Sequence, residues 1–191
     1  MSIATFNIIS VSIESLDVFG DPQIDIPRSP QREDAWCYAA CTQMIIEFVI
    51  PEVIVQQCEI VTFVKHVECC DDSSDDCTDS GCEKNEISEI FTNFDVSFEG
   101  SEFDPALEIG PIALQDVTDE IQAQGPLMVV VDWEGGQRSH AVLISGVMDD
   151  WVHVIDPLPD NCYGGWHRYS HVLNGFSSGQ WSRTWHLFGR N

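Results

Sequence analysis

The stretch Gln31-Arg32-Glu33-Asp34-Ala35-Trp36-Cys37-Tyr38-Ala39-Ala40-Cys41 separates two kinds of chain. Before it, Leu16 to Arg32 carries Pro22, Pro27 and Pro30 and reads as an extended crossing segment. After it, Ala35 to Ile50 reads as a helix, with Asp34 as its N-cap and Pro51 as its stop. Ala39, Ala40, Met44, Ile45 and Phe48 make that helix apolar on most sides, which places it centrally. Cys37 therefore falls in the first turn of a central helix, where unpaired amides and the positive end of the dipole favour a thiolate. Cys41 follows one turn later and points along the same face.

Outward from this helix the two halves of the chain differ. Toward the N-terminus, Thr5 to Ile13 alternates with Ile9, Val11 and Ile13 on one face and reads as a strand. Toward the C-terminus, a second helix is expected from Ile54 to His66, with Ile54, Cys58, Val61 and Val64 at helical spacing. Residues 68–83 form a polar, cysteine-rich acidic loop. A short helix from Glu86 to Asn93, capped by Asn85, and a strand from Val96 to Phe98 follow it. A loose Gly- and Pro-containing connection leads to a helix from Leu114 to Ala123, closed by Gly125-Pro126. Strands then dominate: Leu127 to Trp133, Ser139 to Val147, Trp151 to Asp156, and two more around Trp166 to Ser170 and Trp181 to Phe188. The fold class is α+β: a single domain, residues 1–191, with a helical lobe (33–98) and an antiparallel β lobe (112–191) flanking a cleft. Residues 1–32 either dock on the sheet lobe or are a removable pro-segment.

The strand half supplies partners for a nucleophilic cysteine. His140 opens an apolar strand after the flexible Glu134-Gly135-Gly136-Gln137-Arg138-Ser139 loop, and Asp156 ends the next strand ahead of Pro157. Two adjacent antiparallel strands can bring these side chains together, so that Asp156 orients the imidazole that activates Cys37. His153 alternates with Val152 and Val154, shares the face of Trp151 and reads as structural.

Gln31 six positions before Cys37, an aromatic residue after it, and the order Cys, His, acid together resemble the papain-like cysteine peptidases. Trp36-Cys37-Tyr38-Ala39-Ala40, the later Gln57-Cys58-Glu59 and the Cys69-Cys70 pair are similar to a compact bacterial branch that includes a plant-pathogen effector protease. The resemblance spans about Gln31 to Asp156. It implies Cys37 as nucleophile, His140 as general base and acid, Asp156 as its orienting partner, and Gln31 with the Cys37 N–H as an oxyanion hole. Tyr38 replaces the more usual Trp, and Asp156 replaces the amide residue of papain itself. Trp133 and Trp36 are the candidate substrate-contact residues. No cofactor or metal is implied.

The chain holds 32 Asp plus Glu against 8 Lys plus Arg, a net charge of −24. That balance disfavours nucleic acid and anionic membranes, and no apolar run is long enough to span a bilayer. It favours peptide or protein substrates with basic segments; oligomeric state is not legible. The eight cysteines favour a secreted or exported protein, although no signal peptide is visible in residues 1–16. Disulfides or zinc are both open for Cys69, Cys70, Cys77 and Cys82, with adjacent cysteines favouring disulfides. If Cys37 is the nucleophile, Cys41 or Cys162 is the odd thiol left over. The aspartates of this loop lack the EF-hand pattern and read as a solvated acidic segment.

Three functions remain in view: a peptidase, an acyltransferase or leader-peptide processing enzyme using the same acyl-enzyme, and a non-catalytic disulfide-rich binding protein. Free cysteine is often simply buried. The ordered set Gln31, Cys37, His140 and Asp156 favours catalysis.

Overall fold

The computed structural model describes residues 23–71, 77, 86–93, 97–98, 101–102, 105–135, 139–161 and 164–187. The strand expected at residues 5–13, Asn85, Val96, Cys82 and Cys162 lie outside the described residues.

Helix α1 runs Cys37–Val49, with Cys37 as its first residue. Asp34 is not its cap. The chain turns once more, with the Trp36 N–H donating to Glu33 O at 3.1 Å, and Trp36 occupies the N-cap position without a side-chain cap bond. The Ala-rich interior explains the burial: Ala39, Ala40, Cys41, Met44, Ile45 and Ile46 are all fully inaccessible. Helix α2 runs Gln57–Lys65 and begins with a capping box between Gln56 and Glu59. It is shorter than expected, and Ile54 lies before it at 85% exposure, so that residue contributes nothing to the apolar face. The capping box selects the later start, overriding the apolar spacing.

The cysteine-rich segment is tied to α2. Cys58 is joined to Cys70 and Cys69 to Cys77, so the adjacent pair Cys69-Cys70 is pulled in two directions. With these four sulfurs in two disulfides, the described part of the cluster is a disulfide staple. The Cys69 N–H also donates to Thr62 Oγ1 at 2.9 Å, and the Trp36 indole N–H donates to Cys77 O at 2.7 Å. The staple thus reaches the start of α1. Cys41 is buried and lies outside both disulfides.

Helix α3 covers Glu86–Asn93. Two short strands, β1 (Ser97–Phe98) and β2 (Ser101–Glu102), pair antiparallel. The sheet lobe then forms from β3 (Ala106–Ile109), α4 (Leu114–Gln122), β4 (Leu127–Trp133), β5 (Ser139–Met148) and β6 (Trp151–Ile155). It is completed by β7 (Gly165–Arg168), α5 (Tyr169–Leu173) and β8 (Gly179–His186). The six-stranded sheet has the order β3-β8-β4-β5-β6-β7, with every neighbouring pair antiparallel. Continuous apolar runs in β4 and β5 suit central strands covered on both faces, and α1 and α4 both pack against β5.

Two elements depart from expectation. Strand β3 lies in the stretch read as a loose connection; it is an edge strand, largely exposed, and owes its pairing to β8. The strand expected through Ser170 stops at Arg168, where the chain turns into α5. The Tyr169 hydroxyl donates to Ile112 O, and its ring stands edge-on to Trp181. This long-range docking ends the strand.

Gly175 makes the close turn into β8. Its φ is +51°, and a Cβ there would stand 2.5 Å from Gln180 N and 2.8 Å from Val131 Cγ1. Gly175→Ala should therefore destabilise the fold by about 2–4 kcal/mol, combining left-handed strain with a clash against backbone. Urea unfolding measures it, and a loss below about 0.5 kcal/mol would show that the turn relaxes freely.

Candidate active site

Cys37 owes its position to the abrupt change from extended chain to α1. The first turn of that helix contains no acidic residue and no side-chain cap, so the positive helix end facing Cys37 is not neutralised locally. Across the interface, β5 brings its backbone up to the thiol: the Ala141 N–H donates to Cys37 Sγ at 3.4 Å. One helical turn on, Cys41 Sγ donates to Ala141 O at 3.5 Å. The two cysteines of the Cys37-x-x-x-Cys41 pattern thus hold opposite ends of one residue on β5. This explains why Cys41 is buried on the same helix face.

His140 sits beside Ala141 at the start of β5, opposite Val131 of β4. Its Nε2 lies 2.7 Å from Asp156 Oδ1. That bond leaves Nδ1 as the ring nitrogen that can serve Cys37, whose sulfur meets the N–H of the next residue on β5. Burial alone would lower the pKa of His140. The Asp156 hydrogen bond, the Cys37 contact and the charges of both partners outweigh it and raise the value to about 9. The Trp133 ring lies nearly parallel to the imidazole, 23° between planes and 6.2 Å between centroids, and covers the His140 side of the site.

Asp156 leaves β6 just as the strand ends. The Leu158 N–H donates to its Oδ1 at 3.0 Å, and Asn161 Nδ2 donates to its Oδ2 at 3.3 Å. Burial opposes ionisation of this carboxyl, but its bond to His140, the imidazole charge and these two donors bring its pKa below the ordinary value. Sequence reasoning missed Leu158 and Asn161; a turn that folds back on its own strand end leaves no periodic trace.

Gln31 is buried and tied to the same region, since its backbone N–H donates to Pro157 O at 2.7 Å. Its side-chain Nε2 contacts Glu33 O and Asp34 O, both at 3.0 Å, while Oε1 has no hydrogen-bond partner. Trp36 is 6% exposed with its indole N–H committed to Cys77 O, so it anchors the staple and offers a substrate little surface. Trp133 is half-buried beside the His140 ring.

The remaining histidines are elsewhere. His153 is buried with Nδ1 2.8 Å from Ser145 Oγ, and burial, helped by the charges of Arg28 and His167, lowers its pKa to about 4. His186 lies between Glu120 and Glu108, on the side of the sheet lobe formed by β3, β8 and α4. Among the described residues no group of three or more His, Cys, Asp or Glu could hold a metal ion.

A buried imidazole held between a helix-terminal thiol and a strand-end carboxylate is the arrangement of a papain-like thiol hydrolase. The chain belongs to the family described as papain-like cysteine protease AvrRpt2, whose model matches residues 21–173. No curated protein sequence matches it significantly. Among solved structures it is similar to the peptidase domain of Streptococcus ComA, a bifunctional ABC transporter of a quorum-sensing pathway. That match has 14% identity and a TM-score of 0.58, covering 85% of this chain and 98% of the other. A C39-like peptidase from Bacillus anthracis matches at 11% identity and a TM-score of 0.57, covering 87% and 96%. A double glycine motif protease from an AMS/PCAT transporter, solved in complex with its leader peptide, matches at 13% identity and a TM-score of 0.50, covering 86% and 91%.

At these identities the structural likenesses speak for the fold, and the family match speaks for the activity. The protein is a papain-like cysteine protease acting on peptide or protein substrates. The non-catalytic reading is thereby set aside.

Proposed function

We propose that the protein hydrolyses peptide bonds with Cys37 as nucleophile, His140 as general acid and base, and Asp156 as the group that orients His140. The observation that carries this reading is the His140 imidazole, committed through Nε2 to Asp156 at 2.7 Å and borne by the residue next to Ala141, whose N–H meets Cys37 Sγ at 3.4 Å. The Cys37 sulfur adds to the scissile carbonyl carbon. His140 then gives its proton to the departing amine, leaving a thioester on Cys37. Water, deprotonated by His140, attacks that thioester and releases the acid.

In this reading the oxyanion is met by the Cys37 backbone N–H and a Gln31 amide proton, which turns away from Glu33 O or Asp34 O to do so. A substrate with basic segments suits the exposed Glu33, Asp34 and Glu134 around the cleft and the overall charge of −24. Processing of a leader peptide is a second reading, supported by the fold shared with the double glycine motif protease.

Labelling with a peptidyl epoxide tests the assignment. Wild type should react at Cys37 in the folded state, whereas Cys37→Ala should not label. Modification that persists in Cys37→Ala, or that requires denaturant, would remove the basis for it.

Asp156→Asn gives a finer test. The oxygen that accepts from both Leu158 N–H and His140 Nε2–H must stay at the Oδ1 position, so the new amide nitrogen takes the Oδ2 position. Asn161 can accommodate it by presenting its own carbonyl oxygen. The imidazole keeps its orientation but loses a charge partner, so kcat should fall only about tenfold and the alkaline limb of the pH profile should move down. A loss above about 10³-fold would mean that the carboxylate charge, and not its geometry, dominates.

A further inference from the structure

Gln57, the first residue of α2, is 1% exposed, so its side chain is not given to solvent. Its amide instead grips the crossing segment. Oε1 accepts from the Arg32 N–H at 3.0 Å, and Nε2 donates to Pro30 O at 2.9 Å. These are the backbone groups on either side of Gln31. The same Nε2 lies 3.1 Å from Gln43 Oε1 on α1 and 3.2 Å from Ser29 Oγ, which itself donates to Gln43 Oε1 at 2.7 Å.

We infer that Gln57 is a positioning residue for the oxyanion donor, holding residues 30–32 against α1 and α2 so that the Gln31 amide stands beside Cys37. This rests on the reading of Gln31 given above. The physical argument concerns where Gln31 gets its precision. Its own Oε1 is unbonded, and its Nε2 bonds the turn carbonyls of Glu33 and Asp34. Those two bonds tie the side chain to its own turn, and neither fixes that turn against the helices.

The backbone supplies the order instead, through Pro157 O on one side and Gln57 on both flanks. A buried amide that satisfies one backbone donor and one backbone acceptor, two residues apart, is a specific clamp that a hydrophobic side chain cannot imitate. The next residue, Cys58, is disulfide-bonded to Cys70, so the clamp stands on a cross-linked base.

The test compares Gln57→Met, Gln31→Ala and the double variant on a mixed-sequence fluorogenic peptide library, with iodoacetamide labelling of Cys37 in parallel. Gln31→Ala should lower kcat roughly 10²-fold, as expected for one lost oxyanion donor. Gln57→Met should lower kcat about 10- to 50-fold by misplacing that donor, with KM and the labelling rate within about twofold of wild type. The double variant should be no slower than Gln31→Ala alone, because a clamp has no effect once the group it positions is gone.

Gln57→Glu preserves the volume and the acceptor for Arg32 N–H, and should fall between wild type and Gln57→Met. It serves equally if the Met variant does not fold. A multiplicative loss in the double variant, or parallel losses in labelling and kcat, would show a general structural role and overturn the inference. Gln57→Met matching wild type while Gln31→Ala is slow would overturn it alone. Gln31→Ala matching wild type would overturn the oxyanion reading and this inference with it.

Discussion

Cys37→Ala should lower peptide hydrolysis roughly 10⁴-fold or more while leaving the fold intact. The expectation of near-total loss follows from the covalent route, since Cys41, the other described thiol outside the disulfides, is fully buried. Retention of the fold follows from the surroundings. Cys37 is the N-terminal residue of α1, and among the described residues its sulfur accepts one long backbone hydrogen bond, from Ala141 N–H. Alanine is the best helix former and leaves only the small gap of one sulfur atom. The measurement is kcat/KM together with thermal unfolding. Activity within tenfold of wild type would show that another nucleophile carries the reaction.

Cys41 provides the internal control. It lies one turn along the same face, is a fully buried thiol outside the disulfides, and bonds Ala141 O. Cys41→Ala should retain activity within a few-fold while costing stability through the lost packing.

His140→Ala should be nearly as damaging, roughly 10³-fold or more, because protonation of the leaving amine and activation of water both depend on this imidazole. The variant also carries a signature in pH. The His140 pKa is raised from 6.5 to about 9 in the folded protein. A group raised on folding contributes stability that is complete below its unfolded value, and that contribution disappears as pH climbs through its folded value.

Wild-type stability from this group should therefore be full at pH 6.5 and below, and should decline through about pH 9. Activity should lose its imidazolium in the same range, giving an alkaline limb near pH 9. In His140→Ala both the stability decline and the alkaline limb should vanish. Urea unfolding and rate profiles between pH 6 and 10.5 measure them. An alkaline limb that persists unchanged in the variant would assign it to a different group.

Much of the site could be read along the chain because each component marks a change of structure. Cys37 stands where prolines give way to an alanine-rich helix, His140 where a glycine loop gives way to β-branched chain, and Asp156 where a strand meets Pro157. Such transitions are set by short-range sterics and propensity, so local sequence reports them. Alternation along β6 also separated His153 from Asp156 correctly, and the structure pairs His153 with Ser145 well away from Cys37. The capping errors had local causes too: Asp34 looks like a cap, but the turn closed by Trp36 N–H on Glu33 O moves the helix start past it.

What stayed hidden depends on groups far apart in the chain. Strand β3 is defined by its register with β8, as in Leu107 opposite Trp185, and has no apolar signature of its own. Trp36 seemed a cleft residue because it neighbours Cys37, yet its indole is taken up by Cys77 O, 41 positions away. Which cysteines pair is likewise a matter of three-dimensional proximity.

The eleven residues from Gln31 to Cys41 thus determined, by themselves, that an extended segment would meet a buried helix with a thiol in its first turn. Periodicity alone was enough to place an antiparallel sheet after it. Only the tertiary structure decided that one residue of β5, Ala141, would be held by both Cys37 and Cys41, and that Gln57 would clamp both sides of Gln31. The division has a physical reason. Backbone conformation responds mainly to near neighbours, whereas a hydrogen bond between side chain and distant backbone exists only once packing has brought the two together.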